Sequence, residues 1–205
     1  FRISVEEFGG CDEYFTEIIN ASSLLNMGPF EKYYLMNGPC PEKIVWQLTG
    51  TSAESLAKAA EIVCEEGGIG IDLNMGCSAP QIYKTGAGIA WMLKPLKETA
   101  EAVSKVKKSL DLIEEKTQNH FRFSVKCRLG NENFTEQTFF NFTDMLVENG
   151  VELITLHART IKEKYRGLPR YEFAKKLSQR YEKKIKVYVN GCIKDTASAK
   201  FAIQQ

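Results

Sequence analysis

Short apolar runs ending on polar residues alternate with longer stretches of helical periodicity along the whole chain, and this rhythm restricts it to parallel α/β folds. Strands are predicted at Asp12 to Thr16, Lys43 to Leu48, Gly70 to Asn74, Arg122 to Cys127, Leu153 to His157 and Lys186 to Val189. Helices are predicted near Ile3 to Phe8, Ser52 to Glu66, Leu96 to Glu115, Glu136 to Asn149, Tyr171 to Gln179 and Thr196 to Gln205. A helix between two strands returns the chain to the same end of the sheet, so neighbouring strands pair in parallel. The first long helix shows its signals well. Ser52 or Thr51 caps it, Leu56, Ala59, Ala60 and Val63 share one face, and Glu66-Gly67-Gly68 ends it with residues that tolerate positive φ.

A chain of 205 residues that is 43% apolar can bury a real core, in one domain or one and a half. No apolar stretch approaches the ~20 residues of a membrane span, and the N-terminus lacks a basic-then-apolar signal layout, so a soluble protein is expected. Cysteines at positions 11, 40, 64, 77, 127 and 192 form no Cys-x-x-Cys pair, which indicates neither a metal site nor a disulfide framework. A reducing cytoplasm is the simplest location. Net charge is +1, but its distribution is uneven: from Ile161 to Lys186 there are ten Lys or Arg (Lys162, Lys164, Arg166, Arg170, Lys175, Lys176, Arg180, Lys183, Lys184 and Lys186) against three Glu. Such a face, with Tyr165, Tyr171 and Tyr181 for stacking, suits a polyanion, and it equally suits a solvated helix before a strand.

Parallel sheets present their reactive groups at the carboxyl ends of the strands. Cys77 stands at such an end, beside Asn74 and ahead of a loop punctuated by Gly86 and Gly88 that is expected to be flexible. Elsewhere a lone cysteine is mostly a small buried apolar residue, and here its position argues for chemistry. Lys126 lies on the apolar strand Phe123 to Cys127, where an ammonium needs either a partner or a route to water. His157 closes its strand as either a satisfied core residue or a ligand contact, with Arg159 and Thr160 just beyond. Gln47 ends another strand with both a donor and an acceptor, or caps the turn at Thr49-Gly50. Asn190-Gly191 closes the last strand, where glycine permits close backbone approach to a phosphate.

The block from Ile71 to Cys77, continuing through Lys84 to Gly86-Ala87-Gly88, resembles the signature of the tRNA-dihydrouridine synthases, a family of flavoenzymes. Further segments resemble that family's motifs in the same order: Phe1-Arg2 through Phe8-Gly9, Thr16-Glu17-Ile18, Gln47 to Gly50, Val125 to Gly130, Leu156 to Thr160 with Tyr165 and Gly167, and Val189 to Gly191. The chain departs from the pattern at Ser78, at Pro80 and over Leu168 to Tyr171, positions that bear on tRNA selectivity.

The resemblance implies a TIM (β/α)8 barrel in which residues 1–205 form part of an FMN-binding catalytic domain with about six βα units visible. It places the first strand just before Phe1 and the eighth just after Gln205, leaving a Gly-Arg-Gly type phosphate loop and a C-terminal helical tRNA-binding domain outside the chain. It further implies that NADPH reduces FMN, which delivers hydride to carbon 6 of a uridine in tRNA while Cys77 protonates carbon 5. A thiol is mostly protonated at neutral pH, as that role requires. Gln47, Lys126, His157, Asn190 and Gly191 would hold the flavin, with Lys126 stabilising its reduced anion. Asn74, Lys84, Arg159 and Thr160 would face RNA, helping to offset the cost of unstacking the base. A monomer without metal is expected. Two alternatives stand beside this: a barrel flavin reductase of free pyrimidines, such as the dihydroorotate or dihydropyrimidine dehydrogenases, and a non-catalytic RNA-binding remnant.

Overall fold

The computed structural model describes residues 1–182 and 184–205. Seven strand segments, β1 (Tyr14–Phe15), β2 (Ile19–Asn20), β3 (Ile44–Thr49), β4 (Gly70–Met75), β5 (Arg122–Cys127), β6 (Leu153–His157) and β7 (Lys186–Asn190), form one parallel sheet. Its order is β1-β3-β4-β5-β6-β7, with β2 also on β3, so the chain adds each strand beside the last. The helices are α1 (Arg2–Glu7), α2 (Ala21–Leu25), α3 (Glu31–Tyr34), α4 (Ala53–Glu65), α5 (Pro80–Tyr83), α6 (Ala90–Leu93), α7 (Leu96–Thr117), α8 (Glu136–Glu148), α9 (Glu172–Arg180) and α10 (Thr196–Gln204). This is a curled, partial (β/α)8 barrel.

The strand expected at Asp12 to Thr16 is shortened to β1, and β2 lies beyond it on the same neighbour. Thr16 Oγ1 accepts the Gln47 N–H at 3.0 Å, a side chain standing in for a ladder carbonyl, and the chain bends out before β2 resumes pairing at Leu48. The small helices α2, α3, α5 and α6 gave no periodic signal because four or five residues complete barely one turn. Ser52, not Thr51, caps α4 through the Ser55 N–H.

Register explains why one face of the sheet is polar. Gln47 pairs with Asp72 and Asp72 with Ser124, while Asn74 pairs with Lys126, Lys126 with Thr155 and His157 with Asn190. Residues in register share a face, so these polar groups line the barrel interior. Their neighbours Trp46, Leu48, Ile71, Leu73, Phe123, Val125, Ile154 and Leu156 point outward and are fully buried beneath the helices. Burying each such side chain is worth roughly 1.5–3 kcal/mol, which locks the register that assembles the polar face.

The curl is pinned at the amino end of the strands. Glu13, just before β1, makes a two-pronged ion pair with Arg122 of β5 and accepts from the Tyr188 hydroxyl of β7 at 3.1 Å. One carboxylate therefore ties both edges of the sheet to its centre.

Candidate functional site

A cavity of about 890 Å³ opens at the carboxyl ends of the strands. Gln47, Asn74, Cys77, Lys126, His157 and Asn190 all line it, together with Arg159 and Gly191. These residues come from β3, β4, β5, β6 and β7 and the loops that follow them, so strand register converts sequence positions over a hundred residues apart into one surface.

Cys77 is held, not loose. Asn74 Oδ1 accepts its N–H at 2.9 Å, and its carbonyl accepts the Ile89 N–H at 3.0 Å. Gly88 makes the return possible: at φ +58° it passes so close that a Cβ there would stand 2.5 Å from the Cys77 carbonyl oxygen. Arg128 Nε donates to the Gly76 carbonyl at 3.1 Å and braces the same turn from below. The flexible loop expected around Cys77 is thus corrected to a turn clamped on both sides of the peptide, with the half-buried thiol facing the cavity.

Lys126 reaches into the cavity, where its Nζ donates to Asn190 Oδ1 at 3.3 Å. Burial pulls its pKa down, opposed by the attraction of the Asp72 carboxylate. A neutral amide is weak compensation for a desolvated ammonium. His157 is pushed down to about 4, first by burial and then by the nearby cations Arg128, Lys126 and Arg159. It is therefore neutral at physiological pH. Arg159 Nη1 lies 3.0 Å from His157 Nε2, and a guanidinium only donates, so Nε2 is the acceptor and the proton sits on Nδ1.

Of three expected substrate contacts, Arg159 lines the cavity, and Thr160 and Lys84 lie outside it. Arg159 is almost completely buried and spends its guanidinium on His157, the Gly167 carbonyl and Cys192 Sγ, stitching two loops together beside the cavity. Thr160 lies off the cavity, its hydroxyl donating to Glu163 at 2.9 Å, because the chain turns there. Lys84 is exposed at the end of α5 and does not line the cavity either. Gly191, at φ +111°, packs against the His157 ring, where a Cβ would meet Cδ2 at 2.8 Å, so the imidazole itself accounts for that glycine.

Asp72 and Ser124 were missed in the sequence. The available signal was a lone acid inside the apolar run Ile71-Asp72-Leu73. Asp72 is fully buried, accepts from Ser124 and Gln47 at 2.7 Å each, and is raised to about 6 by burial. The basic stretch is partly neutralised: Arg170 pairs with Glu163, Lys176 with Glu136, and Arg180 with Asp144 through two bonds. Lys183 lies outside the described residues. Among the described residues no group of His, Cys, Asp and Glu is placed to hold a metal, and no helix is long and apolar enough to cross a membrane.

A partial parallel barrel with a cavity at its carboxyl end that Lys126, Arg128 and Arg159 line defines an α/β-barrel domain with a candidate ligand site. The sequence profile of the dihydrouridine synthase (Dus) family matches residues 1–205, and the chain belongs to that family. It is 28% identical over 194 residues to a probable tRNA-dihydrouridine synthase 1 of Synechocystis sp., covering 94% of this chain and 50% of the relative. It is 31% identical to a probable tRNA-dihydrouridine synthase of Aquifex aeolicus, covering 77% of this chain and 47% of the relative. It is 32% identical to a tRNA-dihydrouridine(16) synthase of Pasteurella multocida, covering 78% and 47%. The chain thus spans about half the length of these curated relatives.

Proposed function

We propose that this chain carries the reaction centre of a cytoplasmic tRNA-dihydrouridine synthase, with FMN as the resident cofactor, NADPH as reductant and a tRNA uridine as substrate. The observation that carries the reading is the convergence of Cys77, Lys126 and a neutral His157 on one cavity. The residues fit FMN: a desolvated lysine with only an amide partner suits the anionic edge of a reduced flavin, and Gln47 and Asn74 offer the amides a pyrimidine edge needs. Bound FMN would supply hydride to carbon 6 of the uracil. Cys77 holds the proton for carbon 5, and its clamped peptide fixes where the thiol points. His157, neutral with its proton on Nδ1, positions without competing as an acid. Arg159 acts by fixing His157 and the loop at Gly167. Lys84 and the exposed Lys162 of the basic stretch are reserved for RNA outside the cavity.

Cys77→Ala separates the half-reactions. Flavin reduction by NADPH is expected to proceed at the wild-type rate while reoxidation by tRNA is abolished. Loss of both together removes Cys77 from the acid role, and reoxidation of the wild-type protein by free uracil but not by tRNA would assign a free-pyrimidine substrate.

A further inference from the structure

A directional chain of hydrogen bonds runs through the barrel interior from Asp72 to Cys77. Gln47 Nε2 donates to Asp72 Oδ2 at 2.7 Å, Asn74 Nδ2 donates to Gln47 Oε1 at 2.9 Å, and the Cys77 N–H donates to Asn74 Oδ1 at 2.9 Å. The Gly76 N–H adds a longer bond to the same oxygen at 3.3 Å. A carboxylate only accepts, so Gln47 must turn its amino end to Asp72 and its carbonyl to Asn74, and Asn74 is turned in the same sense. The ends of an amide are otherwise nearly equal in shape, and nothing but partners decides which way it faces. At the other end two backbone N–H groups require an acceptor, so both ends of the chain impose one direction. Reversing any link would leave buried donors facing donors, at a cost of about 1–3 kcal/mol for each unpaired group.

We propose that Asp72 is a positioning residue of the site, whose buried acceptor fixes the hydrogen-bonding faces that Gln47 and Asn74 present to the cavity and thereby holds the Cys77 turn. Ser124, donating at 2.7 Å to Asp72 Oδ1, occupies the other carboxylate oxygen and leaves Oδ2 to Gln47. With its pKa near 6, the group is ionised above neutral pH and can serve only as an acceptor there. The part concerning Gln47 and flavin rests on the FMN reading above, whereas the part concerning Cys77 does not.

Two variants at pH 8 separate acceptor from charge. Asp72→Asn retains an acceptor for Gln47 and can donate to Ser124, while Asp72→Ala retains neither. FMN affinity, read from quenching of flavin fluorescence, is expected to fall about tenfold in Asp72→Ala, the equivalent of one lost buried partner, and to stay within about threefold in Asp72→Asn. Alkylation of Cys77 by iodoacetamide, followed by mass spectrometry on flavin-free protein, is expected to accelerate in Asp72→Ala and to stay at the wild-type rate in Asp72→Asn. Equal defects in both variants would make charge the operative property and overturn the proposal, as would wild-type behaviour of Asp72→Ala. If the wild-type protein binds no FMN, the cofactor reading fails and the alkylation rates alone decide the role of Asp72. If Asp72→Ala does not fold, the Gln47 side-chain amide protons of isotope-labelled wild-type protein decide it. Slow exchange with solvent is expected, and free exchange would overturn the proposal.

Discussion

Asp72→Asn should make the protein more stable above neutral pH, the reverse of what substitution at a buried, doubly hydrogen-bonded position normally does. Burial raises the Asp72 carboxyl from 3.8 to about 6, against the opposing influence of Ser124, Gln47, Lys126 and Arg122. The folded protein therefore holds this proton more tightly than the unfolded chain. The stability so contributed is complete below about 4, declines as pH rises, and is gone above about 6. At about 1.4 kcal/mol per pH unit, the two-unit rise amounts to roughly 3 kcal/mol between those limits. An asparagine does not titrate, so the variant escapes this loss. The attraction of Lys126 and Arg122 is already contained in that net rise, so the variant's gain at pH 8 over pH 4 is the same roughly 3 kcal/mol. Urea unfolding of both proteins at a series of pH values measures it. The difference should favour the variant at pH 8 and change steeply in the wild-type's favour between pH 6 and 4. A pH-independent difference, or a variant less stable at pH 8, would refute the placement of an ionised Asp72 in the dry interior.

Two further substitutions probe packing, one beside Cys77 and one at the amino end of the strands. Gly88→Ala should lower stability by about 2–3 kcal/mol, since it combines a positive φ with a clash against a backbone oxygen, and thermal unfolding will read it. His120 sits between Glu114 at 2.8 Å and Glu152 at 2.9 Å, and its pKa is raised chiefly by the bond to Glu114. Its contribution is complete below the ordinary histidine range and fades as pH rises through the elevated folded value, so His120→Asn should be destabilising at pH 6 and nearly neutral at pH 9 in thermal melts.

The alternation of strands and helices was legible because β3 to β7 and their covering helices each carry enough apolar residues to show a period. The residues near the strand ends were legible for the same reason: once a strand is located, the polar residues near its end are located too, as with Gln47, Lys126, His157 and Asn190. Contacts across the barrel were not. The link from Gln47 to Asp72 depends on which residues of β3 and β4 stand in register, and no local pattern reports that. The ion pairs of Lys176 with Glu136 and of Arg180 with Asp144 join α9 to α8, so a count of charges along the chain overstated the exposed basic face. Arg159 misled differently, because an arginine after a strand is ordinarily solvated, and only the packed loops reveal its burial.

The Glu13 clasp sits at the end of the barrel away from Cys77, yet it acts on the cavity as a hinge pin acts on the tips of a pair of tongs. By joining Arg122 in the centre of the sheet to Tyr188 on its edge, it sets how far β7 can swing from β3. Asn190 and Gln47 ride on the far ends of those two strands. Slackening at the floor is therefore magnified along the strands into a wider mouth, so the cavity has a remote adjustment point where sequence change can retune its width without touching any residue that lines it.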